Sequence, residues 1–195
     1  IKKTDLLNPE LKDSIKKNVF AMFNHNIGNV VVNGTDNILI SKFIGLIEVG
    51  LYSNYSLIIS TIMSIVSKVS NSVAASVGNL GAMEDDERVY KIYQVINFLN
   101  FWIYSFCTIC FWILFQPFIT VWLGKNYLLM NTTVFIICAN FYLSGMRSVN
   151  LTFRDAMGLF WYDRYKPPVE CVINLVASIY LARRMGIAGV FIGTF

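Results

Sequence analysis

From Ile92 to Phe115 the chain reads IYQVINFLNFWIYSFCTICFWILF, without one charged side chain. Such a stretch restricts the fold more tightly than any short motif. A helix needs about 20 apolar residues, at about 1.5 Å each, to cross the hydrocarbon of a bilayer. Lipid also offers the backbone no hydrogen bonds of its own, so the segment must satisfy itself as a helix. Comparable stretches occupy 19–43, 50–77 (interrupted by Lys68) and 132–154. A shorter one at 168–182 follows Pro167, and a sixth begins at 187 and runs to 195. Pro117 is expected to close the third helix. The chain is 55% hydrophobic and 14% charged, against about a quarter charged in soluble domains. The fold class is therefore all-α, a polytopic integral membrane helical bundle, in the lipid bilayer.

Residues 1–17 differ from the rest. Asn8-Pro9-Glu10 marks a helix start, with Asn8 as cap and Pro9 at the first helical position. Leu11, Ile15, Val19 and Phe23 share a face that excludes Lys12, Lys16 and Lys17. This segment reads as an amphipathic helix at a membrane surface, leading into the transmembrane part at 18–195. The chain opens at Ile1 and stops inside the apolar GIAGVFIGTF, so it reads as a piece of a longer protein.

The loops carry little chemistry. The net charge of +4 is spread over short segments and does not form a nucleic-acid footprint. Cys107 and Cys110 make a C-x-x-C inside an apolar helix with no second pair nearby, and Cys138 and Cys171 also sit in apolar runs, which indicates neither disulfide nor metal. The acidic run Glu84–Glu87 is a solvated loop. The single histidine, His25, stands at a helix end and reads as an interfacial polar group ahead of a proton relay. Nucleophile-elbow, phosphate-loop, zinc-helix and dinucleotide signatures are all missing, so an enzyme reading has no support and no cofactor is expected.

Lys and Arg set the orientation. With the N-terminus inside, Lys2, Lys3, Lys12, Lys16, Lys17, Arg88, Lys91, Arg154, Arg164 and Lys166 share the cytoplasmic side. Lys42, Lys125, Arg183 and Arg184 fall on the other.

The spans carry polar residues at helical spacing. The first has Asn26, Asn29, Asn33 and Asp36. The second has Asn54, Thr61, Ser64, Lys68 and Asn71. The third has Gln94, Asn97, Tyr104 and Thr108. The fourth has Asn140, Ser144 and Arg147, with Arg154 two turns on. Ionisable groups at membrane depth face a bundle interior or a watery cavity, while Asn, Ser and Thr also serve as helix–helix hydrogen bonds. For the neutral residues both readings stand. For Lys68 and Arg147 the cavity is favoured, because a cation in a packed contact needs a full counter-charge. Asp36 would qualify, but it falls in the outer half while the cations fall in the inner half, so separate roles are expected. Arg147 would grip phosphate oxygens as a fork and Lys68 would act as a point charge. Gly34, before Asp36, offers a place to bend.

These stretches together resemble the polysaccharide flippases, the Wzx-type O-antigen and capsule transporters of the superfamily that also holds the MATE exporters. The resemblance is carried by NGTDNILISKFIGLIEVGLYSNYSLI at 33–58, SVGNL at 76–80, PFITVWLG at 117–124, NFYLSGMR at 140–147 and GIAGVFIGTF at 186–195. It implies a MATE-like fold of two six-helix lobes about a cavity, with this chain as the second lobe and 1–17 as the interlobe linker. It implies an undecaprenyl-pyrophosphate-linked oligosaccharide as substrate, flipped across the bacterial cytoplasmic membrane by alternating access, alongside other polysaccharide-assembly membrane proteins. Coupling to an H+ or Na+ gradient fits the same scheme. The best matches to functional residues are Asp36, Lys68, Arg147, Arg154, Asn33, Asn71 and Asn140. The competing reading is a MATE-type antiporter of organic cations.

Overall fold

The computed structural model describes residues 9–83, 86–161 and 164–194; the side chains of 9–11, 14, 25, 27–33, 69–83, 86 and 160 fall outside the description. Within it the chain is all-helical, with no strand. The helices are α1 (Pro9–Phe43), α2 (Leu46–Met83), α3 (Asp86–Trp122), α4 (Asn131–Ala156), α5 (Lys166–Met185) and α6 (Ile187–Gly193), with short 3-10 turns at Lys125–Tyr127 and Leu159–Trp161. Among the described residues three helices are long and apolar enough to cross a membrane, at Leu46–Lys68, Glu87–Trp122 and Asn131–Ala156. The molecule is a membrane protein.

Short turns make successive helices antiparallel, so the bundle has two ends. At one end the start of α1 meets the turn before α5, with Lys17 Nζ 5.8 Å from the Trp161 ring centre. There Val89 of α3 also packs on Val149 and Phe153 of α4. At the other end Phe43 closes α1 beneath Arg183 of α5, 5.6 Å from its ring centre. α1 and α5 therefore run parallel. The polar lead-in and the first span form one element from Pro9 on, and the helix continues through Gly34.

α3 shows how a helix that is apolar all round still has two faces. Val95, Phe98, Trp102, Phe106, Ile109 and Ile113 are exposed, while Tyr104, Phe111, Phe115 and Ile119 are buried. The first set recurs every three or four residues and the second every four or seven, so each keeps to one side of the helix. The second packs on Phe141 of α4 and, through Phe115, on Tyr55 of α2. Close approach to α4 depends on Gly145, where a Cβ would fall 1.9 Å from Tyr104. Asn100 Nδ2, buried in the same seam, donates to the Gly145 carbonyl at 2.8 Å.

Pro117 does not end α3. The helix runs on to Trp122 with the proline inside it. Pro117 removes only its own bond to the carbonyl four residues back, and the following residues rejoin the ladder, with Leu123 N donating to Ile119 O at 2.8 Å. The true stop is Gly124, at φ 99°.

Candidate functional site

The charged groups of the spans do not share one cavity wall. Arg147 and Asp36 fall into two separate clusters, each joining different helices.

The first cluster is Arg147 on α4 with Glu170 on α5. Arg147 Nη2 donates to Glu170 Oε2 at 2.8 Å, and Nη1 donates to Oε1, so both arms of the fork are engaged. Glu170 lies in the opening turns of α5, which starts at Lys166 with Pro167 behind it. Both side chains remain about two-fifths exposed, at 42% and 38%. A pair this open contributes about 0.2–1 kcal/mol. The sequence weighed only Asp36 as a counter-charge and expected it to act separately from Arg147; the partner in the structure is Glu170, which the sequence reading did not consider. The signal was present in KPPVECVINLV, a carboxylate at the start of an apolar run. It went unread because helical spacing identifies a face and not its neighbour.

The second cluster surrounds the last turn of α6. The Thr194 hydroxyl lies 3.1 and 3.3 Å from the two Asp36 carboxylate oxygens and 3.2 Å from the Val190 carbonyl, so its one proton has the carboxylate and the carbonyl as alternative acceptors. Tyr52 of α2 packs its ring 4.6 Å from that of Phe191. Asn140 of α4 donates to the Phe191 carbonyl at 2.8 Å. Asp36 and Asn140, from separate stripes, thus meet on α6. Asn140 acts here as a helix–helix hydrogen bond, satisfying a carbonyl at a helix end.

The remaining candidates are placed as follows. Arg154 binds its neighbour Asp155, with Nε and Nη2 at 2.9 and 2.8 Å from Oδ1. Arg154 is largely buried, its side chain 15% exposed. Lys68 is exposed on α2. Asn33 and Asn71 lie on α1 and α2, with side chains outside the described residues, as does that of His25.

Several stripe residues bond to their own helix. Asn54 donates to Gly50 O at 3.1 Å, Thr61 to Leu57 O at 2.8 Å, and Thr108 to Tyr104 O at 2.6 Å. Each bonds back to its own helix four residues earlier. This choice is open to Ser, Thr and Asn wherever lipid provides no partner.

Sequence reasoning missed the buried polar knot at the loop end. Tyr55 is fully buried. Its hydroxyl donates to Gln116 Oε1 at 3.2 Å and accepts from Leu129 N at 3.1 Å. Gln116 Nε2 donates to Leu129 O at 2.8 Å and Asn131 Oδ1 at 3.0 Å. This knot ties α2, α3 and the start of α4 to the loop before α4. Its only sequence signal is one glutamine beside Pro117.

The sequence model of a family described as polysaccharide biosynthesis protein matches residues 13–132. Comparison with curated proteins and with solved structures returned no match.

Proposed function

The chain belongs to the polysaccharide biosynthesis protein family, and from that premise we propose that it is the second lobe of a flippase. Its substrate is an undecaprenyl-pyrophosphate-linked oligosaccharide repeat unit, carried across the bacterial cytoplasmic membrane by alternating access. The family match agrees with the resemblance in the sequence, and the membrane-length helices fit a transporter better than an enzyme.

The observation that carries this reading is the Arg147 fork. It projects between two helices, stays partly open and already holds two oxygens of an anion. A phosphate presents the same pair of acceptors. Arg154, two turns along α4, adds a second cation about 10 Å away along the axis. Asp36, on the other cluster, is the candidate for coupling to an H+ or Na+ gradient. A site between helices matches the general scheme for secondary transporters.

The test is export. Arg147→Ala is expected to reduce surface polysaccharide to background while the protein inserts at normal level, and Arg147→Lys to restore it only in part, because a lysine lacks the fork. Normal polysaccharide display by Arg147→Ala would refute the assignment.

One observation favours the second reading, the MATE-type antiporter of organic cations. Glu170 cancels Arg147, so the seams hold carboxylate as well as cation. A cation antiporter predicts that Asp36→Asn abolishes efflux of a fluorescent organic cation while polysaccharide display is unaffected.

A further inference from the structure

The anion already in the Arg147 fork raises the question of what it does when substrate arrives. Glu170 fills the Nη1–Nη2 face of the guanidinium. The other bidentate face, Nε with Nη2, is closed to a ligand because Nε is buried, so a phosphate gripped by this fork must take the face that Glu170 holds. Either Glu170 blocks the site or it gives way.

Two features show that it can give way. The pair is open to approach on both sides, at 42% and 38% exposed, so a ligand reaches it without unpacking the seam. The released carboxylate is also not stranded. Its side chain is 38% exposed, so water at the partly open site solvates the freed charge. The cost of exchange is the small net value of a part-exposed pair.

Resting on the flippase reading above, we infer that Glu170 is a stand-in anion. It occupies the Arg147 fork while the protein is empty, and it is displaced by the diphosphate of the incoming lipid-linked substrate. Anion loading and loss of the α4–α5 tie are then one event. α5 is packed tightly on α6, since a Cβ at Gly189 would fall 2.2 Å from Leu181 O and one at Gly193 2.2 Å from Ser178 Oγ. The two helices form one body, and Arg147–Glu170 is a charged link between that body and α4. Substrate exchange at this link releases α5 and α6 from α4 at one end of the seam.

The experiment uses the full-length protein in nanodiscs, titrated with undecaprenyl pyrophosphate. Glu170→Gln keeps the side-chain size and removes the competing charge. It is expected to tighten binding by about two- to fivefold, the size of a part-exposed ion pair taken out of competition. Arg147→Ala is expected to lose most of the binding. Spin labels on exposed positions of α4 and α5 are expected to move apart when undecaprenyl pyrophosphate is added to the parent, and to be already apart in Glu170→Gln. Equal or weaker binding by Glu170→Gln, with Arg147→Ala still defective, would overturn the stand-in role and leave the flippase reading intact. Unchanged binding by Arg147→Ala would overturn the flippase reading itself. Should Glu170→Gln fail to insert, Glu170→Asp draws the carboxylate back from the fork. It is expected to tighten binding, and unchanged or weaker binding counts against the inference in the same way.

Discussion

Asp36 and Arg147 show how a charged residue survives among apolar helices. Each faces another helix and meets a partner there: Thr194 for Asp36 and Glu170 for Arg147. Asp36→Asn keeps an acceptor for Thr194, so its stability in detergent is expected to stay within about 1 kcal/mol of the parent. If Asp36 carries the coupling charge, the same change alters how export in membrane vesicles responds to an imposed H+ or Na+ gradient. An unchanged response would make Asp36 a holder of Thr194 and nothing more. The faces of Asp36, Asn140 and Arg147 were legible in the sequence, because lipid excludes such groups and helical spacing reveals their alignment. Their partners were not. Thr194 lies 158 residues beyond Asp36, and no periodicity connects them. Asn54, Thr61 and Thr108 mark the opposite limit: they align with the stripes but bond to their own helices.

At the scale of elements, apolar length accounts for three membrane-length helices among the described residues, but not for the packing faces. On α3 the exposed face and the packed face are both apolar, so hydrophobic periodicity cannot separate them. What distinguishes the packing surfaces is size. Gly189 and Gly193 of α6 lie four apart and approach Leu181 and Ser178 of α5, the small-residue spacing by which membrane helices come close. Gly186, at φ 62°, turns α5 into α6 so that these surfaces meet. Gly189→Ala is therefore expected to destabilise the bundle by about 1–3 kcal/mol, measured by unfolding in detergent. Gly34 has no atom within 4 Å of its would-be Cβ. Gly34→Ala is expected to be neutral or to stabilise by up to about 1 kcal/mol through helix propensity. A loss of export by a stable Gly34→Ala would show that α1 must bend there. Equal effects of the two alanines would dismiss the close α5–α6 approach.

For the whole molecule, orientation remains an inference from charge, and the structure explains the two residues that oppose it. Arg183 and Arg184 close α5, where cations favour the negative helix end. Arg183 also lies over Phe43 and Arg184 over Tyr180, 5.6 and 5.8 Å from the ring centres. Local contacts thus account for two cations that the positive-inside pattern places on the wrong side. They do not outweigh the larger group that includes Lys16, Lys17, Arg88 and Lys91. α3 offers the direct check, because its length of about 55 Å exceeds a hydrocarbon layer of about 30 Å and both of its ends reach water. Glu87 at its start is exposed, as is Asn126 just beyond its end. In a full-length protein with its native cysteines replaced, Asn126→Cys is expected to react with a membrane-impermeant maleimide on intact cells, and Glu87→Cys only after the cells are opened. The reverse pattern would invert the bundle. The Arg147–Glu170 link would then lie toward the outer face, and a substrate loaded from the cytoplasm would reach the Asp36 cluster first.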